Sequence, residues 1–481
     1  MNTLKRTLAL AATIAMAATS LASCGDKTEE KNNDTKDTQT TTAAKADDNN
    51  DKKEDDKSDK KVFTVAAWNH DDAPYLIAQW KGLSFDTIVG DLSDDKVEGV
   101  HFIDMSCGGG EAAEKYDQMF NNNEDLDVYF CEADWALKFV NDDTRTMALE
   151  DLGIDDSAFP NIYSYTDDIG KATEGANAGK RVGVSWQAAA GGFAYRADLA
   201  EQYLGVKTPD EMQAKIGSWE DFIAAAQSIS EQTNKGVALA DTLGGLWQAY
   251  ACGRTTPWVK DNKVEVDASC EDFAKTAKAL WDCGGITKNT QWTDEWKAAG
   301  VTGNCMGYFV STWGFGNFFM DAVGGVGGEQ YGKWAVCQGP VPYYWGGTWM
   351  VVNPASDNKE EAKALILSAT SDEAAMKDYA VKKPEYVNNS KVMDELIASD
   401  TVFNQDISGI FVDNQNYFKA LADNAKKINF NGLITPYDST LKGAFQNAVK
   451  DKYLEGGATW EETVEEFLDK AAEAAPDLDV D

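Results

Sequence analysis

The 481-residue sequence carries 80 Asp and Glu against 44 Lys and Arg, a formal net charge of −36. That sign excludes nucleic acid and anionic lipid surfaces as direct partners. The two histidines, His70 and His101, leave little material for a histidine metal site or a Ser-His-Asp triad. Gly-x-Ser-x-Gly, phosphate-loop and Cys-x-x-Cys motifs are absent, so no metal, cofactor or catalytic residue is expected. Carboxylates are numerous enough to form close pairs by chance, which lends a glycosidase no positive support.

The chain begins with Lys5 and Arg6, the apolar run Leu8–Ala22 and then Leu21-Ala22-Ser23-Cys24. This is the layout of an export signal over 1–23, too short for a typical membrane span. The order Leu-Ala-Ser-Cys resembles a bacterial lipobox, which implies that Cys24 is acylated and becomes the mature amino terminus. From 24 to 61 hardly an apolar side chain occurs, so the segment cannot offset its ordering entropy and reads as a disordered polar tether. Its flexible span is roughly 35 Å, enough to hold a body clear of a membrane.

The body, Val62–Asp481, is too long for one hydrophobic core. It opens with a buried-strand run, Val62–Trp68, followed by a helix around Tyr75–Trp80 and a strand near Val97–Met105. A helix over Glu111–Phe120 and a third strand, Leu126–Cys131, come next. Alternating strand and helix predicts an open α/β sheet with mainly parallel strands, whose ligands lie beyond the carboxyl ends of the strands. The loops expected there hold Trp68, Asn69, His70 and Asp71, then Gly108–Gly110, then Asp134 and Trp135. The glycine triplet suits a plain strand-to-helix turn better than a phosphate site.

Further on, the small residues Ala188–Gly192 suit a backbone passing between two bodies. Thr208 with Glu211 and Ser218 with Asp221 carry helix-start signals, and Trp258–Val266 reads as a hairpin. Cys305–Gly314 is strand-like and ends beside Trp313. Gly339–Asn353 combines Pro340, Pro342, Tyr343, Tyr344 and Trp345 with the adjacent Gly346 and Gly347 before a buried strand. Aromatic faces beside a flexible crossing suit a cleft that closes on a flat polar ligand, because rings cover sugar faces while their polar edges donate hydrogen bonds. Trp247, Trp258 and Trp292 suit either the cleft floor or core packing. Seven cysteines follow Cys24, an odd number, and most read as buried free thiols, with a Cys107–Cys131 bridge as the alternative for that pair.

Asp134 within Glu-Ala-Asp-Trp-Ala-Leu-Lys-Phe-Val, Ser185-Trp186-Gln187 before Phe193-Ala194-Tyr195-Arg196, Gly307-Tyr308-Phe309 before Ser311-Thr312-Trp313-Gly314, and Pro342–Trp349 occur in this order. Together they resemble the carbohydrate-type solute-binding lipoproteins of bacterial ABC importers, the maltose-binding-protein-like family 1. The resemblance implies a periplasmic-binding-protein-like fold: two α/β lobes joined by three crossings, placed here near Ala188, Tyr308 and Trp345, with a central cleft. The lobes are then expected at 62–187 with 308–345, and at 188–307 with 346–481. It further implies a monomeric receptor, lipid-anchored on the outer face of a bacterial cell membrane, Gram-positive in type, that binds a carbohydrate and delivers it to permease subunits. The expected site comprises Trp68, Asn69, His70, Asp71, Asp134, Trp135, Gln187, Trp313, Tyr344, Trp345 and Gly346. Surface glycan capture without transport, or binding of a peptide or other polar solute in the same fold, is the alternative.

Overall fold

The computed structural model describes residues 62–68, 72–83, 99–399, 403–429 and 432–480, all within one compact unit, Ser58–Asp481. The signal, Cys24, the tether, and Asn69, His70 and Asp71 lie outside the described residues. The strands in chain order are β1 (Phe63–Ala67), β2 (Val100–Asp104), β3 (Val128–Glu132), β4 (Val184–Ser185) and β5 (Gly191–Arg196). They continue with β6 (Val259–Lys260), β7 (Lys263–Val264), β8 (Gly307–Ser311), β9 (Trp334–Cys337) and β10 (Thr348–Val352).

The first lobe is built on a five-stranded sheet ordered β2-β1-β3-β10-β4, with β1 parallel to β2 and β3, and β10 antiparallel to β3 and β4. Every residue of β1 and β10 is buried. Strands covered on both faces need apolar side chains on both, which is why these runs do not alternate. Helix Ala73–Lys81 packs against helix Lys359–Thr370 beside this sheet. The second lobe carries the antiparallel sheet β8-β5-β9.

The crossings form a short hydrogen-bonded ribbon. Its middle segment is 186–190: Ala188 N donates to Tyr386 O at 2.9 Å and Asn388 N to Trp186 O at 2.8 Å on one side. Trp345 N donates to Ala189 O at 3.1 Å and Gly191 N to Tyr343 O at 2.9 Å on the other. The chain therefore leaves the first sheet after Ser185 and returns between Cys337 and Thr348. It reaches the second lobe again after the helix Ser390–Ala398, where Phe411 bridges Trp334.

Strand pairing corrects the expected lobe boundaries. Residues 308–345 belong with the second lobe, because β8 and β9 flank β5, and Thr348–Val352 belongs with the first. Tyr308 is no crossing: it sits inside β8 opposite Ala194. A five-residue buried run carries no mark of its partner strand, which is why the expected assignment of both runs differs from the pairing.

Local signals behave as their chemistry requires. Thr208 accepts from Glu211 N at 3.2 Å and Ser218 from Asp221 N at 3.1 Å, capping their helices. The hairpin β6–β7 turns through Asp261 and Asn262 at φ of 51° and 63°, the left-handed pair that matches strand twist. All seven described cysteines are free, Cys107 and Cys131 among them.

Gly191 stands where the ribbon enters β5. A methyl group there would lie 2.2 Å from the Tyr343 ring, which is held by its hydroxyl donating to Gly192 O at 2.7 Å. Gly191→Ala should therefore cost about 1–3 kcal/mol in urea unfolding, the usual range for overpacking; an unchanged midpoint would show that the ribbon yields.

Candidate functional site

A cleft lies between the end of β3 and the helix Asp438–Ala448, beside the returning crossing. From the first lobe comes Asp134, two residues beyond β3, its backbone N–H donating to the Glu132 carboxylate at 2.9 Å. The second lobe supplies Lys442, Asp438, Arg254 and Gln248, and the crossing supplies Tyr344, Trp345 and Gly346. The space among them is about 30 Å³, too little for a sugar ring until the walls part.

Each charge in the cleft is matched. Lys442 Nζ pairs with Asp134 across the two lobes. Burial works against the lysine charge, but Asp134 and Glu132 hold its pKa above the ordinary lysine value. Burial, and then Asp134, push the half-buried Glu132 carboxyl well up, while Lys442 pulls it back. Arg254 Nη2 donates to Asp438 at 2.9 Å, and both side chains are buried. Thr435 fixes the other carboxylate oxygen through its N–H at 2.7 Å and its hydroxyl at 2.8 Å. Arg254 Nε reaches Ala251 O at 3.2 Å and the guanidinium lies 4.8 Å over the Trp258 ring, so its plane is locked while Nη1 has no partner. A buried donor without an acceptor is costly, and an acceptor oxygen brought by a ligand would relieve it.

The aromatic wall has its own support. Trp313 Nε1 donates to Trp345 O at 2.7 Å, and the two rings meet edge to face at 5.2 Å. Gly346 has φ +72°, and a methyl group there would press to 3.1 Å from Trp313 Nε1, so both conformation and contact call for glycine. Tyr344 packs 6.1 Å from Tyr165, whose hydroxyl donates to Ala188 O in the hinge.

Of the expected site residues, the structure brings Asp134, Tyr344, Trp345 and Gly346 together in the cleft. Trp313 buttresses Trp345 from behind. Trp135 turns inward: it is 5% exposed, wedged among Trp68, Tyr116 and Phe139, and serves as core rather than as a platform. Gln187 belongs to the hinge ribbon, its Nε2 donating to Glu385 at 3.1 Å. Trp247 and Trp258 line the cleft floor and are core residues at once. Sequence reasoning missed Arg254, Gln248, Asp438 and Lys442. For the last two the available signal was a carboxylate and a cation spaced i, i+4 at a helix start, a pattern that surface helices carry routinely.

Glu385 is the hinge's buried carboxyl, 2% exposed. Its carboxyl accepts from Gln187, from the Thr312 hydroxyl at the end of β8, and from Tyr386 N at 3.0 Å, so it ties a crossing to the second lobe. Burial pushes it up to about 8 against the hydrogen bond from Thr312, with the charge of Asp72 adding to the rise.

A model of the bacterial extracellular solute-binding protein family matches residues 93–376. No curated protein matches the sequence. Among solved structures, the fold is shared with the galacto-N-biose/lacto-N-biose I-binding protein of an ABC transporter from Bifidobacterium longum, in complex with lacto-N-biose. Identity is 14% and the TM-score 0.65, over 88% of this chain and 100% of that one. An ABC transporter-associated binding protein from B. animalis subsp. lactis, bound to β-1,6-galactobiose, is 17% identical with TM-score 0.63 over 86% and 97%. The GacH receptor of Streptomyces glaucescens, solved unliganded and with acarbose, is 17% identical with TM-score 0.62 over 87% and 99%.

The unfolded Glu385 carboxyl ionises at about 4.3, the folded one only at about 8. Its stabilising share is therefore whole below the lower value and falls away as pH rises to the upper one. Between pH 5 and 7.5, wild type should lose about 2 kcal/mol or more of urea-unfolding stability relative to Glu385→Gln; parallel pH profiles would remove Glu385 as the cause.

Proposed function

The protein belongs to the bacterial extracellular solute-binding protein family, whose matched region spans more than half of the chain, and from that premise we propose that it is a receptor for a neutral carbohydrate. The family binds solutes for transporters and does not transform them. The observation that carries the sugar reading is the cleft itself: Trp345 stands beside a set of polar groups whose charges are already paired.

An uncharged polyol suits such a set. A sugar offers an apolar C–H face to an indole and alternating donors and acceptors at its edge. In this reading Asp134 and Gln248 accept from hydroxyls, while Arg254 Nη1, which lacks a partner, and Lys442 donate. Hydrogen bonds to charged groups are each worth about 1.5–3 kcal/mol when well formed. An anionic ligand would gain less, because both cations hold carboxylate partners and the chain's charge is −36.

Entry requires the lobes to part, since about 30 Å³ admits no ring. Opening separates Asp134 from Lys442, and ligand hydroxyls bridge the two on closure, so the sugar replaces an inter-lobe pair and biases the hinge toward the closed form. Acylation at Cys24, tethering at the outer face of the membrane and delivery of the sugar to an ABC permease complete the reading. It is supported by the Leu21–Cys24 sequence, the polar segment 24–61 and the family membership.

Calorimetric titration of the body with neutral mono- and oligosaccharides tests it. Trp345→Ala should weaken the ligand that binds by about 2 kcal/mol or more, as loss of a buried aromatic anchor does. Unchanged affinity in a variant with intact circular dichroism would remove Trp345 from the site.

A further inference from the structure

Trp292 is the one tryptophan among the described residues that is more than half exposed, at 53%. It stands on the stretch before helix Asp294–Thr302, with φ +74°, a conformation that bulky side chains rarely adopt. The loop is nevertheless tied down. Thr293 Oγ1 donates to Thr290 O at 2.8 Å and Asn289 Nδ2 donates to Glu295 O at 3.0 Å.

The exposed ring continues the wall of the cleft. Trp292 is stacked with Trp313 at 6.1 Å and 18°, and its centroid is 5.7 Å from that of Trp345, which lines the cleft. Trp296 and Phe318 meet it through edge-to-face contacts at 5.3 Å and 5.6 Å, fixing the indole from behind. A rigid, half-exposed indole contiguous with a binding wall, in a backbone conformation adverse to it, is a platform rather than a packing residue.

We propose that Trp292 forms an outer subsite on which a further ring of a neutral oligosaccharide stacks, outside the ring enclosed by the inner cleft. This rests on the carbohydrate reading of that cleft and makes the ligand an oligosaccharide whose length is sensed at the rim. The indole contributes only for chains long enough to pass Trp345.

The test is calorimetry of the full body with saccharides of two, three and four rings from the malto-, cello- and β-1,6-galacto-series, comparing wild type, Trp292→Phe and Trp292→Ala. In a series that binds, wild-type affinity should rise with ring number. Trp292→Ala should lose about tenfold for the longest chain and less than twofold for the disaccharide. Trp292→Phe should recover most of the loss. In parallel, acrylamide quenching of the exposed tryptophan should be suppressed by the longer saccharides only. Equal affinities of wild type and Trp292→Ala at every length, or an equal loss at every length, would overturn the outer subsite while leaving a sugar receptor. Absence of binding in all three series at wild type would contradict the carbohydrate reading, and the subsite with it.

Discussion

The structure depends on the hydrogen-bonded ribbon in which residues 186–190 run between 343–345 and 386–388. Two lobes joined by independent linkers would move freely; linkers that share backbone hydrogen bonds move as one hinge with a small set of permitted rotations. Burial reinforces the ribbon. Trp186 is almost wholly enclosed and its Nε1 donates to the Tyr379 hydroxyl at 3.2 Å, while Glu385 gathers Gln187 and Thr312 onto one carboxyl. A carboxyl held there nearly out of water stays protonated through neutral pH, which spares the hinge an unpaired buried charge.

The cleft's character follows from the same economy of charge. Lone ions out of water are expensive, and removing one partner of a buried pair leaves the other stranded. The Arg254–Asp438 pair meets this within one lobe, where Thr435 and Ala251 satisfy further atoms, so it is present whether the lobes are open or closed. Asp134 and Lys442 meet it only across the gap. One pair is thus scaffold and the other is closure. Of the close carboxylates, Asp134 pairs with Lys442 and Glu132 accepts from the Asp134 backbone N–H, which suits holding hydroxyls rather than moving protons through a reaction.

Much of the architecture was legible in the sequence and some was not, for identifiable reasons. The buried runs at Phe63–Ala67 and Trp349–Val352 announced strands, and Thr208, Ser218 and Asp261-Asn262 announced caps and a turn, because these signals are local. Lobe membership is non-local: β8 and β10 read alike, and only their partners β5 and β3 tell them apart. In the site, Trp345 and Gly346 stood out through proline, glycine and aromatic residues in one stretch. Asp134 stood out at a strand end. Trp135, its neighbour, turned into the core because it meets Tyr116 and Phe139 there. Lys442 lies in ordinary helical sequence, and its meaning arises only when the lobes face one another; Arg254 lies in the loop after helix Leu243–Ala251, and only the fold brings it to Asp438.

The most direct measurement is a tryptophan fluorescence titration of the body, Val62–Asp481, against neutral mono- and oligosaccharides, amino acids and short peptides, with chemical analysis of each ligand afterwards. A saturable shift with saccharides, carried by the ring that lines the cleft, and recovery of the sugar unchanged are the expected result. Saturation by peptides or amino acids alone, or turnover of the sugar, would contradict it.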